Sequence, residues 1–389
     1  MKHWQNLFII SLFSVFFTLC QSQQNQVPAS NNAFNKQKTK SNIYTQIEQG
    51  IEYEKTAEYE KALELYETAL KTLKSEPYLY ERLGWTYYRL NQYKKAEFYF
   101  LQALSLNEKD STAMAGLGRI YRVQKNYQKS IWYLDKAIQN NSKLDWAFQE
   151  AGFCYLDLTL QSVKKTDIDI QKPDYDLIQV KTALTYFTRS IMLNPTNFES
   201  YAGRGFAHFL LKNYNKAERD LIRTIKENPH FVWAYDKLKE VYLAQNFYKK
   251  ARNILQSGID ANPDHFELYN NLAWIYLQEW EKQEYSIPID ENKEKNQNKD
   301  YDKALLLCEK ALYLSEWKSP EIIDTYIRLL LHKDNVQKAE EIWKKSIITL
   351  PENQDIKNLL NLIESSKKNN TPDNLFPNES EEIKNNNDN

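Results

Sequence analysis

The sequence predicts an all-α fold in which pairs of helices stack one after another along the chain. Three observations lead to this prediction: a short phrase recurs at a fixed spacing, small residues recur at a second spacing inside it, and glycine is scarce. The chain has 8 glycines and 27 tyrosines in 389 residues, whereas average glycine usage of about 7% would give roughly 27. Scarce glycine also disfavours nucleotide enzymes, because the loops that hold phosphate groups depend on it.

The recurring phrase has a tyrosine three positions before alanine or serine. It reads AEYEKA, NQYKKA, KNYQKS, KNYNKA, NFYKKA and KDYDKA, and its last residues are Ala62, Ala96, Ser130, Ala217, Ala251 and Ala304. The interval from Ala62 to Ala96 equals that from Ala96 to Ser130 and that from Ala217 to Ala251. Another small residue precedes the phrase at a constant distance, at Gly50, Gly84, Gly118 and Gly205. Such spacing predicts two antiparallel helices per repeat, whose backbones approach closely at the small residues.

Tyrosines and prolines complete the repeat. A tyrosine follows the first small residue by three positions, as at Tyr87 and Tyr242, and proline often ends the second helix, as at Pro229 and Pro263. Proline stops a helix because it lacks an N–H group and clashes with the preceding turn. One repeat cannot bury its own apolar face, so we interpret the tyrosines as packing within and between repeats rather than as cofactor chemistry.

This pattern resembles the tetratricopeptide repeat. The eight repeats that fit span 43–76, 77–110, 111–144, 145–197, 198–231, 232–265, 266–319 and 320–353. The resemblance implies an α-solenoid of about eight helix-turn-helix repeats that form a right-handed superhelix, with a C-terminal capping helix.

Two repeats contain insertions between their helices. In the fourth repeat Gly152 and Ala183 are much farther apart than Gly84 and Ala96, and in the seventh Ala273 and Ala304 are separated by the same longer interval. The additions lie near 161–179 and 283–300. The first insertion contains apolar residues that could dock on the protein, while the second is polar and is predicted to be mobile. Two interpretations of the insertions stay open: they are surface loops without a function, or they take part in binding.

The segments that flank the repeats are polar. Residues 23–42 and 369–389 contain too little apolar surface to order themselves, so the sequence predicts a disordered linker and a disordered tail. Between the last repeat and the tail, residues 354–368 have apolar residues at helical spacing and are predicted to form the capping helix.

Residues 1–22 are predicted to be a signal peptide. Leu7 to Leu19 is an uncharged run that follows a basic start and is shorter than the roughly 20 residues of a membrane-spanning helix. Two forms of processing stay open. Cleavage after Ser22 would release a soluble protein, whereas Phe17 to Cys20 resembles a lipoprotein box in which Cys20 would be acylated. The expected location is therefore outside the cytoplasm: periplasmic, membrane-anchored as a lipoprotein, or secreted.

The resemblance places partners in a concave groove lined by the first helix of each repeat. The second, fifth, ninth, twelfth and thirteenth residues of a repeat face this groove. Aromatic and arginine side chains at these positions are typical of protein interfaces, since they bury a large area. The candidate partner-binding residues are Tyr78, Trp85, Tyr88, Arg89, Arg119, Arg122, Trp146, Phe153, Phe206, Phe209, Trp233 and Trp274. For Phe206 and Phe209 in particular, packing between neighbouring repeats is the alternative.

Other chemistry has little support in the sequence. The net charge of −1 disfavours a nucleic-acid binder, which needs a basic face. Five scattered histidines and three cysteines show no zinc-ligand spacing, and no G-x-S-x-G or H-E-x-x-H motif occurs. We therefore expect no metal, no cofactor and no catalytic activity, and membrane attachment only through a lipid on Cys20.

The sequence predicts a non-enzymatic scaffold of the cell envelope that binds a peptide or protein segment in its groove. A narrower version is an assembly factor for an envelope complex, since the chain resembles small repeat lipoproteins that help to assemble pili, secretion pores or outer-membrane proteins. The alternative is an auxiliary subunit that binds glycan or another substrate for an envelope enzyme.

Overall fold

A computed structural model describes residues 31–162, 177–283 and 291–369, with side chains at 42–161, 177–281 and 299–367. These residues form seventeen α-helices and no strand. The helices are α1 (Asn31–Lys55), α2 (Tyr59–Thr72), α3 (Pro77–Arg89), α4 (Tyr93–Leu106), α5 (Ser111–Val123), α6 (Tyr127–Asn140), α7 (Asp145–Ser162), α8 (Leu177–Leu193), α9 (Phe198–Leu210), α10 (Tyr214–Glu227), α11 (Val232–Leu243), α12 (Tyr248–Ala261), α13 (Phe266–Gln283), α14 (Glu291–Leu314), α15 (Pro320–His332), α16 (Val336–Thr349) and α17 (Gln354–Asn369).

The chain divides into two compact units, Met1–Gln124 and Lys125–Asn389. The N-terminal unit contains α1 to α5, and the C-terminal unit contains α6 to α17. Inside each unit a helix contacts the next helix in the chain, and the first helices of successive repeats also contact each other. This nearest-neighbour pattern of paired helices is that of an α-solenoid. The predicted hand of a superhelix stays a prediction.

In the N-terminal unit, large aromatic rings occupy the space that glycines leave because they have no side chain. Phe100 of α4 is fully buried. A Cβ atom added to Gly84 would lie 2.7 Å from its ring, and one added to Gly116 would lie 2.6 Å from it. Tyr66 stands in the same relation to Gly50. The glycines therefore let one ring pack between the first helices α3 and α5.

The same arrangement recurs in the C-terminal unit. Phe187 of α8 is fully buried, and Cβ atoms added to Gly152 of α7 and Gly203 of α9 would lie 2.7 and 2.3 Å from its ring. The Phe187 side chain thus packs against its own repeat and against the following repeat. The apolar core continues from here through to α17, where Ile356 and Ile363 are fully buried.

The buried tyrosines also make polar contacts between neighbouring repeats. The Tyr242 hydroxyl donates to Glu218 at 2.8 Å, and the Tyr326 hydroxyl donates to Glu309 at 2.6 Å. Tyr87 donates in the same way to Glu67 at 2.5 Å. Each acceptor lies on the second helix of the preceding repeat, so each bond crosses a repeat boundary. Neighbouring repeats are therefore held together by hydrogen bonds as well as by apolar packing. The spacing of the tyrosines in the sequence does not indicate these bonds.

Tight turns join several helix pairs through one residue with left-handed backbone. Ala57, Asn91 and Asn246 have φ values of 60°, 57° and 59°. After α11, the Phe247 N–H donates to the Tyr242 carbonyl at 2.9 Å, which satisfies a carbonyl at the helix end. None of these positions is glycine, so the turns hold residues with a Cβ atom in a backbone region that costs free energy.

Two segments differ from the expectations drawn from composition. Helix α1 begins at Asn31, inside the predicted disordered linker, and α14 begins at Glu291, inside the insertion predicted to be mobile. In both cases the segment lacks glycine and proline, and in 291–300 glutamate, lysine and glutamine are good helix formers. A polar composition therefore did not prevent helix formation at residues 31–42 and 291–300. The expected disorder of the linker and mobility of the insertion stay predictions.

Several expectations concern residues outside the described ranges. The signal peptide, Cys20, most of the first insertion and the tail after Asn369 are among them. Within the described ranges no helix combines the length and hydropathy needed to cross a membrane.

Candidate partner-binding surfaces

In the N-terminal unit, aromatic and arginine side chains of two first helices meet. The rings of Trp85 and Tyr88 on α3 are 5.9 Å apart and nearly perpendicular. The guanidinium of Arg119 on α5 lies 6.0 Å from the Trp85 ring centroid and 5.7 Å from that of Tyr88. All three side chains are half-buried. The structure therefore brings together three of the predicted residues in one cation–π cluster.

A second group on α3 combines charge with an exposed ring. Tyr78 is 47% exposed, and the Arg82 guanidinium lies 5.9 Å from its ring centroid. Arg82 also forms an ion pair with Glu54 of α1, and Thr86 donates to the same carboxylate at 2.8 Å. Burial, with a smaller effect of nearby Asp110, raises the pKa of Glu81 to about 7. Arg82, Glu54 and Glu81 were not among the sequence candidates.

The other two arginines of this unit lie nearer the ends of their helices. Arg89 is the last residue of α3 and is exposed, while Arg122 is half-buried in the last turn of α5. A cation in the last turn of a helix interacts favourably with its negative end.

In the C-terminal unit, most of the predicted phenylalanines pack inside the protein. Phe206 and Phe209 are only 6% and 4% exposed, and their rings are stacked with centroids 6.1 Å apart. Phe153 contacts the buried ring of Phe187 edge-on at 4.9 Å. These positions favour the packing alternative for the phenylalanines, because a buried ring presents almost no area to a partner.

The predicted tryptophans of this unit differ in their surroundings. Trp233 contacts Phe206 at 5.6 Å, and the ammonium of Lys237 lies 5.8 Å from its ring centroid. Trp146 is half-buried at the start of α7. Trp274 is 37% exposed and lines a cavity of about 700 Å³ that is open to solvent. Trp274 therefore lies beside a space large enough for a ligand.

This cavity, which we call the C-terminal cavity, is formed by the first helices α11, α13 and α15 together with α17. Trp274, Leu359 and Leu362 supply its apolar wall, and Asn270, Asn271 and Asn358 supply amides. Five ionisable side chains also line it, Lys239, Glu321, Asp324, Arg328 and Asp355, together with Pro320 and Thr325. Polar side chains thus outnumber apolar ones around this open cavity.

The two cations of the cavity are already paired with acids. The Lys239 ammonium lies 2.6 Å from Asp236, and Asn271 donates to the same carboxylate at 3.1 Å. The Arg328 Nε atom donates to both oxygens of Asp324, at 2.8 and 2.9 Å. This hydrogen bond raises the pKa of Arg328. These pairs fix both cations against the cavity wall.

One amide in the wall has an unsatisfied acceptor. The Oδ1 atom of Asn270 is buried and has no hydrogen-bond partner among the described residues. A buried polar atom without a partner costs about 1–3 kcal/mol. The atom is shielded from solvent, so it lies behind the lining and not on the surface of the cavity.

Several polar residues of the cavity occupy positions that the repeat itself marks. Asn270, Glu321, Asp324 and Arg328 are at the second, fifth or ninth position of their repeats, the positions used to select the aromatic and arginine candidates. Selecting amide and carboxylate side chains at these positions as well would have identified Asn270, Glu321 and Asp324 from the sequence. Lys239, Asn271, Pro320 and Thr325 are at other positions of their repeats. The residues of α17 lie outside the rule because α17 is not a repeat helix.

Metal ligands and thiols are the remaining candidates for chemistry. The described residues contain no group of three or more histidine, cysteine or acidic side chains placed to hold a metal ion. Cys154 and Cys308 are buried and form no disulfide, and burial raises the pKa of Cys308. A buried thiol with a raised pKa is a poor nucleophile.

Comparison with known proteins supports the repeat assignment. Models described as tetratricopeptide repeat match residues 77–110 and 240–284. The mouse BBSome complex member BBS4 is 29% identical over 98 residues, covering 25% of this chain and 19% of that protein. Human tetratricopeptide repeat protein 6 is 25% identical over 103 residues, covering 26% of this chain and 20% of that protein. The matched segment is thus a fifth or less of each relative's length.

Solved structures show the same fold at low identity. The structure of the APC/C hetero-tetramer Cut9–Hcn1 matches with a TM-score of 0.54 and 14% identity, covering 72% of this chain and 48% of that chain. A tetratricopeptide repeat protein from Parabacteroides merdae matches with a TM-score of 0.49 and 16% identity, covering 74% and 98%. The family models, the paired helices and the Cut9–Hcn1 match together establish that the chain contains tetratricopeptide repeats in an all-helical α-solenoid fold.

Proposed function

We propose that this protein is a non-enzymatic scaffold of the cell envelope that binds a peptide or protein segment on the first-helix face of its C-terminal unit. The C-terminal cavity carries this proposal. Its volume of about 700 Å³ falls in the range of about 300–1,000 Å³ that is typical of ligand sites. Trp274, a type of residue enriched at interface hot spots, lies at its wall.

The N-terminal unit offers a second contact surface. The cluster of Trp85, Tyr88 and Arg119 combines the residue types that contribute most to interface affinity. Tyr78 adds an exposed ring on the same helix as Trp85. Proteins built from this repeat serve as protein-interaction scaffolds, and this surface has the residue types that such a role requires.

The envelope location is supported by the sequence of residues 1–22. An uncharged run after a basic start is typical of an export signal. Mass spectrometry of the protein isolated from its native cells tests this directly. A mature chain that starts at Cys20 with an acyl group establishes a lipoprotein, and one that starts at Gln23 establishes release. An unprocessed Met1 contradicts cleavage of a signal peptide.

Site-specific photocrosslinking tests the binding surface. A photoreactive residue replaces Asn358 in the C-terminal cavity, and a matched one replaces Ile348 of α16, which is 81% exposed outside the cavity lining. We expect a protein crosslink from position 358 that is absent at 348 and that Trp274→Ala weakens. Equal capture at both positions contradicts the proposal. A glycan crosslinked at 358 instead of a protein supports the auxiliary-subunit alternative.

An assembly role is the narrower form of the proposal. The protein captured at position 358 is identified by mass spectrometry, and its state is examined in cells that lack this chain. Failure of that partner to enter its complex supports an assembly factor. Normal assembly of the partner leaves the chain as a scaffold for an already assembled complex and contradicts the narrower form.

A further inference from the structure

We propose that the C-terminal cavity selects an arginine side chain of the bound segment. The inference rests on the proposed function, because it names the chemistry of the segment that the first-helix face would hold. It is carried by the charges that line the cavity and by its apolar wall. Both features favour the same occupant.

Unpaired negative charge faces the cavity. Of its five ionisable side chains, the two cations are engaged with Asp236 and Asp324. Glu321 and Asp355 have no ion-pair partner among the described residues. Both lie in the first turn of a helix, α15 and α17 respectively, where the positive helix end favours a carboxylate. An entering cation would therefore meet two carboxylates that no cation of the cavity neutralises.

A guanidinium matches these carboxylates. It is always charged and has five N–H donors in a fixed fork, so it can bond to both oxygens of one carboxylate. An acidic side chain supplies only acceptors at neutral pH and would be repelled by Glu321 and Asp355.

The apolar wall fits the rest of the arginine side chain. Trp274 is 37% exposed beside the cavity, and a guanidinium stacks on an indole face more readily than an ammonium does. Leu359 and Leu362 line the same cavity and can cover the aliphatic stem of an arginine. Arginine is therefore favoured over lysine as well as over neutral residues.

Three short peptides of alternating alanine and serine test the inference on the full chain. They differ only in the central residue, which is arginine, citrulline or glutamate; citrulline keeps the shape of arginine without its charge. Affinity is measured by microscale thermophoresis at low ionic strength. We expect the arginine peptide to bind roughly tenfold more tightly than the citrulline peptide, and the glutamate peptide to bind most weakly.

Variants locate the effect in the cavity. The double variant Glu321→Gln/Asp355→Asn should reduce the affinity for the arginine peptide by roughly tenfold and leave the citrulline peptide unchanged. Glu341→Gln serves as a matched control, since Glu341 is exposed on α16 outside the cavity lining. Circular dichroism confirms that each variant is folded.

The outcomes separate this inference from the proposed function. Equal affinity for arginine and citrulline, together with loss of both on Trp274→Ala, leaves a peptide site and overturns the arginine preference. A preference for arginine that survives the double variant places the site elsewhere and also overturns the inference. Binding of none of the peptides overturns it as well, while the crosslink from position 358 decides the proposed function independently.

Discussion

Replacing Gly203 by alanine should destabilise the C-terminal unit, because the new methyl group would enter the space that the Phe187 ring occupies. The added Cβ atom would lie 2.3 and 2.4 Å from two ring carbons of Phe187, whereas ordinary contact begins at 3.4 Å. The ring must therefore move by about 1 Å in a well-packed interior. It is fully buried and is also confined by Gly152 on the opposite helix.

The expected cost follows from two opposing terms. Overpacking a core costs about 1–3 kcal/mol, and the severity of this contact puts the cost near the upper end. Alanine is better than glycine inside a helix by about 1 kcal/mol. We expect a net loss of about 1–2 kcal/mol. Gly258→Ala is the matched control: its Cβ atom would lie 3.1 Å from Tyr235, so the two terms should nearly cancel.

Urea unfolding followed by circular dichroism measures the effect as a shift of the unfolding midpoint. A second background, Phe187→Leu, tests the cause, because a smaller side chain should reduce the cost of Gly203→Ala. Unchanged or increased stability of Gly203→Ala in the wild-type background would refute the argument. An equal cost in both backgrounds would show that Phe187 is not the group that resists the new methyl.

Three other predictions concern a turn and two buried ionisable groups. Ala57→Gly should stabilise the N-terminal unit by about 0.5–1 kcal/mol because φ is 60° there, whereas Glu64→Gly in the exposed face of α2 should destabilise it. Glu81→Gln should be more stable than wild type at about pH 8 but not at about pH 5, because a raised pKa means that stability is lost as the pH rises through about 7. Burial lowers the pKa of His208, so acidification below about pH 6.5 should destabilise the wild type more than His208→Leu.

Each of these is measured as a urea midpoint, at one pH for the turn and across pH for the two ionisable groups. A lower midpoint for Ala57→Gly would contradict the cost assigned to the left-handed backbone. A Glu81→Gln variant whose advantage does not change with pH would show that the carboxylate is not desolvated. If the urea midpoints of wild type and His208→Leu change with pH in the same way, His208 does not cause the loss of stability at low pH.

The repeat register could be predicted from the sequence because its signals are periodic. The spacing of small residues places repeat starts at Pro77, Phe198 and Pro320, and first helices begin at those residues. Such periodicity reports backbone contacts that every repeat must make, for example glycine against a ring. It therefore fixes helix positions without knowledge of the tertiary structure.

The C-terminal cavity could be predicted only in part. Trp274 follows from its place in the repeat, but Trp233 has an equivalent place. Only the tertiary structure, in which Trp233 packs against Phe206, distinguishes the two. The cavity also depends on α17, which supplies Asp355 and Leu359 and obeys no repeat rule. Features that differ between repeats, such as ion pairs and an orphaned amide, depend on tertiary packing that the periodic pattern does not contain.

Hydrogen exchange on the full chain tests the central claim most directly, which is that a segment binds the first-helix face at the C-terminal cavity. Exchange is compared with and without the partner segment captured at position 358. Protection is expected in α13, α15 and the first half of α17, with little change in the second helix α16. Protection of α16 with no change in α13 and α15 would contradict the claim.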